Sequence, residues 1–484
     1  MDSMGITLLG LGPGNPDLLT RQAWEVIRGL SEVYLRSRYH PAVSGFPPGL
    51  RVNSFDHLYE QEESFEAVYS LIIDRILDLG KRPEGVVYAV PGHPFVAEAT
   101  TPEIAKRAHQ AGIPVHVVEG ISFVESIFAA LEVDPFPQTV MVDALELGMA
   151  HHPLFPPSVP AVIAQIYSPA VASEVKLTLM ASYPDEHPVK LVHGAGTVNV
   201  QVENLRLYEI DRSPHIGLMT SLYISPLSHY ASFESFQELV AHLRSPEGCP
   251  WDREQSHQSL RPHLLEEAYE VLSALDADDP QALQEELGDL LLQIVLHAQI
   301  GSEYGDFKMN DVLEHIHSKL IRRHPHVFGE LNVEGQEEVI INWERLKAAE
   351  RKAKGEEESG LLHGVARALP ALAQAEAYQK RAARVGFDWP NVHGVLDKIE
   401  EEIEEVKQAS GPKERISEIG DLLFTVVNLA RWLDVDAESA LREASGRFRN
   451  RFEYVESLAR SSGRELHEFT LEEMDDLWNR AKRG

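Results

Sequence analysis

The sequence predicts a multidomain chain, with an α/β domain at its N-terminal end followed by two all-α helical units. Three observations carry this. At 484 residues the chain exceeds the roughly 250–300 residues that one hydrophobic core sustains. Twenty of its 29 prolines fall within residues 1–225, and proline breaks helices while punctuating strand and loop structure. After Phe233 almost every segment carries apolar residues at helical spacing, and the pattern occurs twice.

In chain order, short β-branched runs come first: ITLLGLG, GVVYAVPG, IPVHVVEG, TVMVDAL and AVIAQIY. They alternate with helical patterns such as Pro16 to Leu30 and Phe65 to Leu79, as expected of sheets covered by helices. This domain is assigned residues 1–225. A linker is expected over 226–232, within SPLSHYASFES. The first helical unit spans 233–355, with FQELVAHL, LLEEAYEVLSAL and LQEELGDLLLQIVLHAQI, and the second spans 356–484, with IEEEIEEVKQA and ISEIGDLLFTVVNLARWL. The polar stretch KAKGEEESG marks their join, near Gly355 to Gly360.

Composition narrows the function classes. Forty-four basic residues against 76 acidic ones give a formal charge of −32, which repels a phosphate backbone or an anionic membrane. Polymeric nucleic acid and membranes are therefore excluded as partners. No apolar run reaches the ~18 residues of a membrane span, the start MDSMGITLLG lacks a signal-like basic and apolar pattern, and Cys249 is the single cysteine. A cytoplasmic protein is expected. Cys249, next to Pro250 and Trp251, reads as a packing residue rather than a nucleophile.

Each helical unit carries the same acids. Glu266, Glu267 and Glu270 precede Glu286 and Asp289 in the first; Glu401, Glu402 and Glu405 precede Glu418 and Asp421 in the second. Residues three or four apart share a helix face, so two such helices packed antiparallel bring four carboxylates together. A lone EExxE is usually a solvated face. Here the later acids lead into LLLQIVLHA and LLFTVVNLA, helices apolar nearly all round and expected to be buried, where carboxylates need partners. An all-oxygen site for Mg²⁺, with Mn²⁺ as substitute, follows. Substrate phosphates would need cations nearby: Lys398, Lys413, Arg415, Arg447, Arg451 and Lys482 in the second unit, and Lys319, Arg322 and Arg323 in the first. A di-iron reading draws on Glu254-x-x-His257 and Glu314-x-x-His317. The second unit offers no equivalent, which weighs against it.

The segments GCPWD, LLEEAYEVL, EELGDLLLQIV, KLIRRHPHVFGE and WERLKAAER, then LPALAQAEAYQKRAARVGFDW, EEEIEEV, EIGDLLFTVVNLAR and MDDLWNRAKR, resemble the MazG nucleoside triphosphate pyrophosphohydrolases from about Phe233 to the C-terminus. The resemblance implies an all-α, generally homodimeric, Mg²⁺-dependent enzyme that splits nucleoside triphosphates into monophosphate and pyrophosphate. It places metal ligation on Glu402, Glu405, Glu418 and Asp421, with Glu401 beside them. A neighbouring carboxylate such as Glu401 is the candidate base, and the matching Glu266, Glu267, Glu270, Glu286 and Asp289 are the metal candidates of the first unit. Nucleotide contacts fall near Lys398, Arg447, Arg451 and Trp478. In tandem members one unit, usually the second, can be the competent one. Both acid sets are intact here, and the second is favoured for its denser basic set RFRNR and its closing Trp478.

The N-terminal domain has three Gly-containing turns after strands, in ITLLGLGPGNPDLLT, VVYAVPGHPFVAEAT and VHVVEGISFVES. Such turns converge at the carboxyl ends of a sheet, where α/β folds bind ligands. The first lacks the Lys-Ser/Thr of a P-loop, and Pro13 and Pro16 depart from the dinucleotide fingerprint. Together they resemble the tetrapyrrole methylases over about Gly5 to Ile210. That resemblance implies two α/β lobes with S-adenosylmethionine in the cleft, near Pro13, Gly92, His93, Val96, Ser122, Phe123 and Tyr167. The family's Gly-Asp-Pro is Gly92-His93-Pro94 here, and Phe123 stands where small residues are common. His93, flanked by prolines, reads as a hydrogen-bonded turn residue. The function expected is Mg²⁺-dependent pyrophosphohydrolysis fused to a methyltransferase domain of open substrate. The alternatives are a methyltransferase whose helical part serves assembly, or nucleotide sensing without hydrolysis.

Overall fold

The computed structural model describes residues 5–62, 64–353 and 360–482. The expected join between the helical units, near residues 355–360, lies largely outside the described residues. The chain divides into two compact units, Met1–His242 and Leu243–Gly484.

The first unit holds two sheets. Strands β1 (Ile6–Gly10), β2 (Glu32–Leu35), β3 (Arg51–Ser54), β4 (Val86–Val90) and β5 (Val115–Val118) form a parallel sheet in the order β3-β2-β4-β1-β5. Its helices are α1 (Arg21–Arg28), α2 (Asp56–Gln61), α3 (Phe65–Gly80) and α4 (Thr100–Gln110). Alternation along β1 explains why both faces are covered. Ile6 and Leu8 join Val68, Ile72 and Ile76 of α3 and Ile104 of α4, whereas Leu9 packs with Ala23 and Ile27 of α1. The helix expected from Pro16 to Leu30 is split: Asn15 caps a 3₁₀ turn at Pro16–Leu18, Leu19 is extended, and the Thr20 hydroxyl accepts from the Ala23 amide to start α1.

The second sheet runs β6 (Val140–Asp143), β7 (Ala161–Ala164), β10 (Thr220–Ile224), β8 (Pro188–His193), β9 (Gln201–Arg206), with β6 parallel to β7 and the other pairs antiparallel. Helices α6 (Ala144–Met149) and α7 (Pro169–Met180) cover one face through Leu147, Val175 and Leu179. On the other face Val162 and Val192 meet Ile127, Phe128 and Leu131 of α5 (Phe123–Leu131), the helix that follows β5 of the first sheet. Within 226–232 the chain makes a single 3₁₀ turn, His229–Ala231, before α8 (Phe233–Leu243); the division between units falls at the end of α8.

The second unit is helical throughout its described residues. Its first half contains α9 (Pro250–Glu254), α10 (Arg261–Asp276), α11 (Pro280–Tyr304), α12 (Met309–Arg323), α13 (Pro325–Phe328) and α14 (Gln336–Ala353). Its second half contains α15 (Ala371–Ala383), α16 (Val392–Gln408), α17 (Pro412–Trp432), α18 (Ala437–Ser461) and α19 (Leu471–Ala481). The pairs α10/α11 and α16/α17 repeat one another as hairpins, and Arg442 of α18 reaches Asp276 of α10 at 3.3 Å while lying over Tyr269. The expectation that α11 and α17 are buried all round is corrected: Leu287, Leu291 and Ile294, and Ile419, Leu423 and Phe424, stay exposed. Within one chain, neighbouring helices pack on part of each surface and leave an apolar stripe open to solvent.

Candidate functional sites

The α16/α17 hairpin assembles the second acidic site. Asn391 caps α16 through the His393 amide, and Pro412 opens α17. One carboxylate oxygen from each of Glu402, Glu405 and Glu418 lies within 4.8 Å of the others. Glu402 is buried, 4 % exposed; its Oε1 accepts from Lys398 at 2.8 Å, while its Oε2 is buried with no hydrogen-bond partner. Partial desolvation and the charges of Glu405, Asp421 and Glu402 push the Glu418 carboxyl above its ordinary range. Asp421 stands outside the three clustered oxygens but inside this field. Glu401 is turned to Lys398, 2.8 Å away, and Lys398 is held more firmly protonated by Glu401 and Glu402.

The first site repeats this with Glu267 and Glu270 on α10 and Glu286 on α11, again with one oxygen each within 4.8 Å. Desolvation, then Asp289 and Glu270, raises Glu267; desolvation and Glu270 raise Glu286. Glu266 faces His263 at 3.6 Å instead of the cluster. His263 occupies the position that Lys398 holds in the second repeat, so the first site has an imidazole where the second has an ammonium.

The other cations are distributed unevenly. Arg451 lies over the Trp478 ring at 5.9 Å, and Phe448 packs on Trp478 at 5.1 Å, so α18 and α19 form an aromatic and cationic corner. Arg447 pairs with Glu443 one turn back. Arg322 and Arg323 both clamp Glu350, holding its carboxyl down to about 2. The Glu-x-x-His pairs do not form a di-iron arrangement: α9 ends at Glu254, so His257 lies beyond the helix, where its Nδ1 meets His297 Nδ1 at 2.8 Å.

In the first unit the turns after β1, β4 and β5 converge. The Gly12 amide donates to the Gly92 carbonyl at 3.2 Å and the Gly92 amide to the Gly12 carbonyl at 2.7 Å. A Cβ on Gly120 would stand 2.3 Å from the Gly92 oxygen, so backbones meet here at a distance only glycine permits. These turns open onto a cavity of about 650 Å³. Of the residues assigned to the cofactor, Pro13, Gly92, Val96 and Phe123 line it. His93, Ser122 and Tyr167 are not among its lining residues. His93 Nδ1 accepts from the Phe95 amide at 3.1 Å, and Ser122 caps α5 through the Val124 amide and donates to Glu125.

Sequence reasoning missed the rest of the wall. Gln165, Ala195 and Met219 flank strands of the second sheet and Ser221 lies on β10, while Arg36, His40 and Glu98 follow strands of the first sheet and Asp56 opens α2. Arg36 donates to Glu98 Oε2 at 2.6 Å and to the hydroxyls of Tyr59 and Tyr69 at 3.1 Å each. Burial opposes the Arg36 charge, and the Glu98 carboxylate with both tyrosines more than offsets it, raising its pKa. Burial pushes His40 down to about 4 despite a hydrogen bond to the Gly12 backbone. The run YLRSRYH after a strand was the available signal, but its partners lie tens of residues away.

A parallel α/β sheet with a glycine cradle, joined to a second sheet, and a duplicated carboxylate-bearing helical hairpin define a methylase-type unit fused to a nucleotide-hydrolase-type helical unit. Family models agree: Tetrapyrrole (Corrin/Porphyrin) Methylases match residues 5–211, the MazG nucleotide pyrophosphohydrolase domain 255–328, and Phosphoribosyl-ATP pyrophosphohydrolase 369–447. The YabN protein of Bacillus subtilis (strain 168) is 41 % identical over 491 residues, covering 99 % of this chain and 98 % of its own. MazG of Thermotoga maritima, named a nucleoside triphosphate pyrophosphohydrolase/pyrophosphatase, is 46 % identical over 252 residues, 52 % of this chain and 96 % of its own. The nucleoside triphosphate pyrophosphohydrolase of Escherichia coli (strain K12) is 45 % identical over 251 residues, 51 % of this chain and 95 % of its own. Among solved structures, the uroporphyrin-III-C-methyltransferase of Thermus thermophilus aligns with TM-score 0.36 at 21 % identity, covering 47 % of this chain and 93 % of that one. The chain belongs to the family in which a tetrapyrrole methylase domain is fused to a tandem MazG pyrophosphohydrolase.

Proposed function

We propose that the helical unit is a Mg²⁺-dependent nucleoside triphosphate pyrophosphohydrolase and that the α/β unit is an S-adenosylmethionine-dependent methyltransferase. The observation that carries the first half is Glu402: a buried carboxylate with one oxygen lacking a hydrogen-bond partner, clustered with Glu405 and Glu418. An unpaired buried carboxylate oxygen is expensive, and a hard cation with oxygen ligands is the partner this donor set fits. Mg²⁺ held there would supply charge neutralisation at phosphate and a more acidic bound water.

The chain's own residues then have distinct tasks. Glu402, Glu405 and Glu418, with Asp421 adding charge, would hold the cation. Lys398, 2.8 Å from both Glu401 and Glu402, would offer its ammonium to a phosphate oxygen. Glu401, exposed beside Lys398, is within one helical turn of the site and serves as the base candidate. Arg451 and Trp478 offer a cation and a ring face to the nucleotide, with Arg447 beside them. The exposed apolar stripes of α11 and α17 support a homodimer through the helical units. Removal of surplus or noncanonical nucleotides in the cytoplasm fits this chemistry.

For the α/β unit, a cradle that a Cβ on Gly120 would fill and a cavity that sets apolar surface beside hydrogen-bonding groups support a nucleoside-sized cofactor such as S-adenosylmethionine. A panel of nucleoside triphosphates with Mg²⁺ tests the first half, following pyrophosphate and monophosphate. Orthophosphate release instead, or no turnover, would defeat the pyrophosphohydrolase reading.

A further inference from the structure

We propose that the first helical repeat carries a second nucleotide-binding corner, between α12 and α14, and that the Glu350 carboxylate occupies its arginines, so this repeat stays closed to nucleotides. This rests on the pyrophosphohydrolase reading above and deepens it. It names a second site for the same substrate class and the side chain that keeps it shut.

The duplication extends beyond the acids. Trp343 and Lys347 precede Trp478 and Lys482 by 135 residues, the offset that also separates Glu267 from Glu402 and Glu270 from Glu405. Both sets follow one pattern, W-x-R-x-K, through Arg345 and Arg480. The spatial pairing repeats as well. Arg323 of α12 lies over the Trp343 ring of α14 at 5.8 Å, as Arg451 of α18 lies over Trp478 of α19 at 5.9 Å. A cavity of about 400 Å³ opens beside the first pair, lined by Lys319, Arg323, His324 and Trp343 together with Leu320 and Val339. Small-molecule sites span roughly 300–1,000 Å³. A ring face set among Lys and Arg side chains suits a base and its phosphates.

The two corners differ in what their cations already hold. Arg322 Nε donates to Glu350 Oε1 at 2.7 Å, and Arg323 donates to Glu350 Oε2 from Nη2 at 2.5 Å and from Nε at 3.1 Å. These are charge-assisted bonds, and the Arg323 and Glu350 side chains are only 18 % and 16 % exposed, so solvent screens them little. The carboxyl, held down to about 2 by the two arginines, stays ionised at neutral and mildly acidic pH. Lys347 Nζ stands 3.6 Å from the centre of the Trp343 ring, over a face that a base would stack on. In the second repeat Arg447 pairs with Glu443 one turn back, both more than half exposed, a kind of pair that contributes little. Arg451 has no carboxylate partner among the described residues. A phosphate arriving at the second corner therefore meets an available guanidinium; at the first it has to displace a carboxylate that holds both arginines.

The test is calorimetric titration of the full-length protein, in saturating Mg²⁺, with α,β-methylene-ATP, whose Pα–CH₂–Pβ bridge is not split by hydrolysis. The unaltered protein should bind one nucleotide per chain and Glu350→Gln two, the dissociation constant at the first repeat falling about tenfold or more. Trp343→Ala in the Glu350→Gln background should remove the added site, and Trp478→Ala the other. Glu350→Ala repeats the measurement with a different side chain, and circular dichroism checks that each variant is folded. Two sites in the unaltered protein overturn the proposal, as does a single site in both folded Glu350 variants. Absence of binding by all of these proteins defeats the pyrophosphohydrolase reading and the proposal with it, whereas one site throughout defeats the proposal alone.

Discussion

Glu402 and His40 illustrate how much a single side chain decides. Glu402 gives one oxygen to Lys398 and leaves the other buried and unpartnered. Glu402→Gln keeps the shape but removes the charge, and should lower Mg²⁺-dependent pyrophosphate release about 100-fold or more while the protein stays folded. Activity within a few-fold of the unaltered protein would move catalysis to the first repeat. His40 titrates at 6.5 in the unfolded chain and at about 4 in the folded one. Between these values the unfolded chain binds a proton that the folded chain does not, so stability falls as pH drops from 6.5 towards 4. The loss is about 3 kcal/mol. His40→Gln should flatten that part of the curve in denaturant titrations at a series of pH values.

At the scale of elements, the acidic hairpins were legible because helix geometry is local: Glu402 and Glu405 share a face by spacing alone, and the repeat at Glu267 and Glu270 shows the pattern is not accidental. That Glu418 and Glu286 meet them needed only antiparallel packing. The strands with long β-branched runs were legible for the same reason, whereas β2, β3, β8, β9 and β10 carry mixed EVYL- or QVENLR-type patterns and gain their place from sheet neighbours. The Arg36–Glu98 pair, 62 residues apart, depends on which strands lie side by side, and no local pattern encodes that. The same holds for the contact of Gly120 with Gly92. Gly120→Ala places a methyl group against backbone at 2.3 Å. It should destabilise the α/β unit by about 1–3 kcal/mol and abolish S-adenosylhomocysteine binding, read by thermal melting and calorimetry. Unchanged binding would separate the glycine turns from the cofactor site.

Across the whole molecule, two units with separate cores and separate sites predict separable responses. Thermal scans should resolve two transitions. Mg²⁺ should raise the helical one and S-adenosylhomocysteine the α/β one, each by about 2.7 kcal/mol at one hundred times its dissociation constant. A ligand that shifts both transitions would reveal coupling between the units. The net charge of −32 is shared by both, and six of the 76 acids form the two matching clusters, so part of the acidity that repels polyanions is matched to cation binding.

The difference between Lys398 and His263 makes the duplicated sites unequal. In the second repeat a resident ammonium already balances one oxygen of Glu402; in the first, the imidazole leans on Glu266, outside the cluster. Filling should therefore occur at two distinct thresholds of free Mg²⁺, the first repeat below the second. Calorimetric titration should be biphasic, and Lys398→Met should merge the two phases. The chain would then work as a graded reader of magnesium supply rather than as a pair of identical catalysts.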